Sequence, residues 1–219
     1  MSETRQDPTL DQYAESRRSL RGAESYATKY DRELHKRVSS YFERRVVRRA
    51  LAVTGVSQGR VLDLPCGAGR LTPLLEPHAR TLISADYSPA MLRVFQRQRG
   101  KPCTVADAFH LPFADRTFDL VFSARLSHHI ADEALRANYV REILRVSDRW
   151  AVFTIFDTRS FKNLLRRLRT QVSPKRPKNT FTREQVQALT GEAGFELVTG
   201  FPLSRLASGH VFYVAKRTG

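Results

Sequence analysis

The sequence predicts an α/β domain built on a doubly wound parallel sheet, and three observations predict it. Short apolar, β-branched runs alternate with stretches of helical period, the signature of strands joined by crossover helices. A glycine-rich turn follows the first of these runs directly, where such sheets place their ligand loops. The chain of 219 residues is 41% hydrophobic, enough to bury a sizeable core in one domain.

The elements follow in order. Residues 1–24 carry few large apolar side chains and are expected to be poorly ordered, with the domain proper spanning 25–219. From Tyr26 to Leu51 the positions Tyr30, Leu34, Val38, Tyr41, Phe42, Val46 and Ala50 recur every three or four residues, the stripe of an amphipathic helix. Arg60–Leu64 reads as a buried strand, followed by the Pro65–Gly69 turn and a short helical stretch to about Glu76. Thr81–Ala85, Cys103–Ala106, Phe118–Phe122 and Trp150–Phe156 are strand-like, while Ser88–Arg99 and Asp132–Val146 are helical. Thr182–Ala193 is a helix with Thr182 at the N-cap, Gln185 completing a capping box and Gly194 in the terminating position. Phe195–Phe201 and His210–Ala215, joined by a short polar loop, are expected to pair antiparallel.

Composition narrows the setting. The apolar runs all fall short of the roughly 18 residues that span a bilayer. The first residues lack a signal peptide's apolar segment. Two cysteines, Cys66 and Cys103, are too few for a disulfide framework or a structural zinc site. A cytoplasmic protein is expected, with no metal, since the His and Asp residues show no ligand spacing. The net charge of +15 favours polyanionic partners, nucleic acid or an anionic membrane, although thirty of the 37 basic residues are arginine, a bias that genome composition alone can produce.

Three carboxylates fall at strand ends. Asp63 lies near the end of the first strand, ahead of Pro65-Cys66-Gly67-Ala-Gly69, where the glycines let backbone approach a ligand. Asp86 closes the second strand about 20 residues on, where a carboxylate can accept both hydroxyls of a ribose. Asp107 follows the third strand, placed to meet an adenine amine. A nicotinamide dehydrogenase fits poorly, because Thr72 stands where its third glycine belongs and Asp63 suits an ammonium group better than a pyrophosphate.

VLDLPCGAGRL, SADYSPAML and ADAFHLPFADRTFDLVFS together resemble class I S-adenosylmethionine-dependent methyltransferases, closest to the small-molecule branch that includes the ubiquinone and menaquinone biosynthesis enzymes. The resemblance covers Tyr26 to Arg217. It implies a Rossmann-like, seven-stranded sheet with an antiparallel last strand and an N-terminal helical lid carrying Tyr26 and Tyr30. It implies S-adenosylmethionine as cofactor: Asp63 and the backbone of Pro65, Cys66, Gly67 and Gly69 at the methionine part, Asp86 at the ribose, Asp107 with Ala108 at the adenine. Tyr87 and Met91 would pack on the adenosine, and Ser123 would close the cofactor site after the fourth strand. Pro65 departs from the commoner glycine and removes one N–H donor.

Methyl transfer requires alignment of donor and acceptor and sometimes removal of a proton. By the resemblance the acceptor faces Ser123–His129, making His128 and His129 the candidate bases, with packing beside the cofactor as their other reading. Arg125 is read as solvated or as a contact for an acidic acceptor. The expected acceptor is a small or lipid-like molecule. An RNA or DNA methyltransferase is the alternative the charge recommends, but Phe122-Ser-Ala-Arg125 lacks the Asn/Asp-Pro-Pro-aromatic signature of base-amino methylation. Both cysteines are expected to be inert. Within the insert 159–180, eight basic residues and no acidic one lie between Arg159 and Lys178, with Phe161, Leu164, Leu165, Leu168 and Val172 on one helical face. That insert reads as a substrate cap, a peripheral contact with anionic membrane, or a nucleic-acid grip. The oligomeric state is not encoded in any feature of the sequence.

Overall fold

The structure, a computed structural model, describes residues 19, 22–24, 34–157, 180–204 and 208–219. Tyr26, Tyr30 and the basic stretch 159–178 lie outside the described residues. In chain order the described elements are α1 (Leu34–Thr54), β1 (Gly59–Asp63), two 3-10 turns (Thr72–Leu74 and Glu76–His78), β2 (Ala79–Asp86), α2 (Pro89–Arg99) and β3 (Thr104–Val105). They continue with β4 (Phe118–Ser123), a 3-10 turn (Ser127–His129), α3 (Glu133–Arg145), β5 (Ser147–Phe156), α4 (Arg183–Glu192), β6 (Phe195–Ser204) and β7 (Ser208–Arg217).

The seven strands form one sheet in the order β3-β2-β1-β4-β5-β7-β6. All pairs among β1 to β5 are parallel, and β7 runs antiparallel to both of its neighbours. The expected doubly wound topology and antiparallel last strand are both present. Alternate residues of the central strands feed two separate cores, which explains why these strands read as continuous apolar runs. Val121 and Phe153 pack under α3 and α4 with Tyr139, Ile143 and Val186. Leu120, Phe122, Val152 and Phe212 pack on the opposite face against Val47, Ala50 and Leu51 of α1.

Local chemistry sets most boundaries. Ser88 caps α2 by accepting from the Met91 amide, and Gly100 ends that helix at φ +62. Thr182 and Gln185 form both bonds of the expected capping box. The helix expected before Glu76 is instead two 3-10 turns, because Pro73 and Pro77 each remove a donor that a continuing α-helix needs.

The orientation of α1 corrects the sequence reading. Of the apolar positions that recur along it, Ala50 is fully buried, whereas Val38, Tyr41 and Phe42 are 50%, 62% and 51% exposed. The buried face comprises Glu43, Val47, Ala50, Leu51 and Thr54. Two apolar stripes compete along this helix, and the buried one carries a glutamate that is met on the domain by two arginines. Packing also begins before residue 25: Ala23 is fully buried with Ala68, Ala90, Met91 and Val94.

Candidate functional site

Chain order reverses direction across the sheet between β1 and β4, so the crevice for a ligand opens at the C-terminal ends of these two strands. The last residue of β1 is Asp63 and that of β2 is Asp86, two carboxylates on adjacent parallel strands.

Asp63 is 3% exposed, and its Oδ2 accepts the Thr72 hydroxyl at 2.6 Å. Burial pushes its pKa up to about 7; the Thr72 bond pulls the other way, and the negative charge of Asp86 adds to the rise. No cation among the described residues pairs with it. A buried carboxylate held in place by a hydroxyl and lacking a counter-charge is suited to receiving a cationic group from a ligand.

Asp86 organises the glycine loop directly. Its Oδ2 accepts from the Gly67 amide at 2.9 Å and its Oδ1 from the Ser88 amide at 2.9 Å. The loop is pinned further by the Cys66 amide, which donates to the Ala85 carbonyl at 2.8 Å, and by the Gly69 amide, which donates to the Cys66 carbonyl at 3.0 Å. Pro65, half-buried, joins β1 to this loop.

The two glycines have different work. At Gly67, φ is +55 and an added Cβ would stand 3.4 Å from the Met91 side chain, leaving the loop open toward the crevice. At Gly69, φ is +79 and a Cβ would lie 2.8 Å from the Phe95 ring and 2.9 Å from Arg99. The missing Cβ at Gly69 therefore also lets α2 pack close to the loop.

Asp107 accepts the Phe109 amide at 2.9 Å and lies 3.7 Å from His110. Its neighbour Ala108 is buried within the larger core. Tyr87 is 58% exposed at the rim, whereas Met91 is buried beneath Gly67. The Cys66 thiol is pushed far up by burial, then by the charges of Asp63 and Asp86, which makes it a poor nucleophile, as expected.

Beyond β4 the geometry differs more from expectation. Ser123 is fully buried and its hydroxyl pairs with that of Tyr139, so its side chain is committed to the core rather than to the crevice. Arg125 is largely buried, with its side chain 22% exposed, and its Nε donates to Glu43 Oε1 at 2.5 Å. His128 and His129 stand on the 3-10 turn with ring centroids 3.9 Å apart. His128 also lies 4.6 Å from His210 of β7, which in turn meets Phe156 of β5 edge-on at 5.1 Å.

Sequence reasoning missed Thr72, His210 and Glu43. Thr72 was weighed only as a missing glycine. His210 meets His128 across a separation of 82 positions, and no local pattern signals that. Glu43 stands beside Arg44 and Arg45 on a charge-rich helix, where one more charge is easily read as solvated.

Residues 62–153 match the family described as methyltransferase domain. The chain is 40% identical over 135 residues to a demethylmenaquinone methyltransferase of Thermobifida fusca, covering 57% of this chain and 54% of that protein. It is 29% identical over 174 residues to a malonyl-[acyl-carrier protein] O-methyltransferase of Geobacter sulfurreducens, covering 73% of this chain and 65% of that one. The matched region thus spans between about half and two thirds of these relatives' length. In fold, the chain resembles magnesium protoporphyrin IX methyltransferase from Synechocystis PCC 6803 with bound SAH, with a TM-score of 0.78 and 17% identity, over 95% of this chain and 100% of that one. The doubly wound sheet with its antiparallel last strand, the carboxylates ending β1 and β2 around a glycine loop, and the matched stretch 62–153 agree: residues 62–153 match a methyltransferase domain, and the chain is similar to class I S-adenosylmethionine-dependent methyltransferases.

Proposed function

We propose that this chain transfers the methyl group of S-adenosylmethionine to a small-molecule or lipid-like acceptor. The observation that carries the reading is the pair of carboxylates on adjacent strands, one buried without a counter-charge and the other bonded to the glycine loop. Among the relatives, one is named for demethylmenaquinone and one for the malonyl group of an acyl carrier protein, which supports a metabolite rather than a nucleic acid.

When bound, the cofactor supplies an activated methyl on a sulfonium. Asp63 would neutralise the ammonium of its methionine part, Asp86 would hold the ribose hydroxyls, and Asp107 with Ala108 would bound the adenine. Met91 supports this bed from beneath Gly67, Tyr87 sits at its rim, and Tyr30 is assigned to a lid. As the acceptor's oxygen, nitrogen or carbon forms its bond to the methyl carbon, the bond to sulfur breaks and the acceptor's proton must leave. His128 and His129 are the bases assigned to that proton. The His128 ring centroid lies 3.9 Å from that of His129 and 4.6 Å from that of His210. The basic stretch 159–178 would cap the acceptor or meet an anionic lipid surface.

Calorimetric titration of S-adenosylhomocysteine tests the cofactor half. Micromolar binding is expected, weakened by roughly tenfold or more in Asp86→Ala through loss of charge-assisted bonds. No binding by folded wild type overturns the reading. Methyl-labelled S-adenosylmethionine incubated with lipid and metabolite extracts, and separately with RNA, tests the acceptor half; label entering RNA would favour the nucleic-acid alternative.

A further inference from the structure

Glu43 is the one acidic side chain of α1 within its buried face, fully enclosed between two arginines that belong to different loops. Its Oε2 lies 2.6 Å from Nη1 of Arg70, the residue directly after Gly69. Its Oε1 lies 2.5 Å from Nε of Arg125, midway between the end of β4 and the turn bearing His128 and His129. Burial works against this charge, but Arg70 first and Arg125 second outweigh it, holding the carboxyl below the usual carboxylate range and hence ionised.

Each arginine is also fixed by a second contact. Arg70 donates to the Ser40 hydroxyl at 3.3 Å, and its own carbonyl accepts from Arg44 at 3.3 Å, so one turn of α1 holds the exit of the glycine loop from both sides. Arg125 has φ +66, a left-handed conformation that a side chain with a Cβ resists, and its amide donates to Thr154 Oγ1 at 2.6 Å. A residue in that conformation reverses the chain locally, so the direction in which the Ser127–His129 turn leaves β4 depends on what holds Arg125. Glu43 and Thr154 both hold it.

We infer that Glu43 is a positioning residue: through Arg70 it sets the cofactor loop, and through Arg125 it sets the histidine turn, tying both to α1. A single carboxylate bridging two loops fixes their relative placement, which methyl transfer requires of donor and acceptor. The second half of this inference rests on the proposed role of the histidine turn; the first half does not.

Hydrogen exchange read by mass spectrometry, together with S-adenosylhomocysteine titration, separates this role from simple support. In Glu43→Gln, exchange should accelerate in both 65–72 and 123–130, and the Kd should rise by roughly fivefold or more. Arg70→Ala should reproduce the first segment's effect and the weaker binding. Arg125→Ala should accelerate only the second segment and leave the Kd within about twofold. Glu43→Asp, keeping the charge on a shorter arm, should recover part of both effects. Uniform acceleration, or acceleration confined to α1 with an unchanged Kd, would overturn the inference. Where Glu43→Gln does not fold, Arg70→Lys and Arg125→Lys carry the same segment-by-segment comparison. Loss of the Kd effect alone removes the link to the cofactor loop, whereas loss of the 123–130 effect alone removes the link to the histidine turn. Either loss leaves the cofactor assignment standing, because Asp86→Ala tests that separately.

Discussion

Thr72 donates its hydroxyl to the buried Asp63 carboxylate across 2.6 Å at the end of β1, and this bond decides how a carboxylate without a counter-charge can be tolerated there. The hydroxyl orients the group and satisfies one lone pair, but it does not cancel the charge. The folded protein therefore stores an electrostatic cost that a cationic ligand can relieve.

That cost has a definite pH dependence. The folded pKa of Asp63, about 7, lies above its ordinary value of 3.8, so between these values the folded chain keeps a proton that the unfolded chain has lost. Its contribution to stability accordingly falls as pH rises from about 4 to about 7 and is level above that. Asp63→Asn keeps an acceptor for Thr72 and removes the charge. Urea unfolding at pH 8 should show it more stable than wild type by on the order of 1–3 kcal/mol, with little difference near pH 4. The same variant should bind S-adenosylhomocysteine more weakly. A variant that is destabilised at pH 8 would mean that Asp63 is charged and satisfied without a ligand.

Much of this was legible in the sequence because it is local. Strand–helix alternation, the cap at Thr182 and the spacing from Asp63 to Asp86 involve neighbours or one crossover, and the structure places them as read. What was not legible is the set of relations closed by the tertiary fold. The buried face of α1 is chosen by Arg70 and Arg125, which lie 27 and 82 positions from Glu43. Hydrophobic periodicity cannot see a charge that two distant arginines will neutralise, so it does not show that Val38, Tyr41 and Phe42 stay exposed while Glu43 is buried. The close packing of Phe95 and Arg99 against Gly69 is hidden for a related reason, since the sequence shows the glycine but not the helix face that meets it.

Ser123 and Tyr139 share a buried hydroxyl pair between β4 and α3. Burial raises the tyrosine pKa beyond its ordinary range, so the pair remains neutral across the physiological window. Ser123→Ala should lower stability by about 1–2 kcal/mol, since the tyrosine hydroxyl then lacks its partner in the core. S-adenosylhomocysteine affinity should hardly change, because the serine side chain points into the protein. A large loss of affinity without loss of stability would return Ser123 to the cofactor site.

Arg217 closes the sheet at the pole opposite the crevice. Its guanidinium donates to the carbonyls of Leu144, Ser147 and Asp148 at 3.1, 2.7 and 3.1 Å, and it stacks over Phe195 at 4.4 Å. It thereby joins the end of α3, the start of β5 and the end of β7. A lysine cannot reproduce the planar fork. Arg217→Lys should cost about 1–3 kcal/mol in urea unfolding while leaving S-adenosylhomocysteine binding intact, because the lost bonds lie far from the cofactor loop. Weakened binding at full stability would show coupling between the two poles.

The two loop glycines offer a sharper contrast, since both have positive φ and differ only in what a Cβ would meet. Alanine at Gly69 must adopt φ +79 and also displace the Phe95 ring and Arg99, both closer than 3.0 Å. Phe95 is fully buried and cannot move without disturbing α2. The expected loss is about 2–4 kcal/mol, from left-handed strain plus overpacking. Alanine at Gly67 meets only the flexible end of Met91 at 3.4 Å, so strain dominates and the loss should be about 1–2 kcal/mol. Alanine at Gly100, where φ is +62 and nothing lies within 4 Å, calibrates the strain alone. Binding should rank the other way: Gly67→Ala puts a methyl group on the loop residue whose amide Asp86 holds, and should weaken S-adenosylhomocysteine more per unit of stability lost than Gly69→Ala. If Gly69→Ala proves as mild as Gly100→Ala in urea unfolding, then α2 can withdraw from the loop, and the packing role assigned to Gly69 fails.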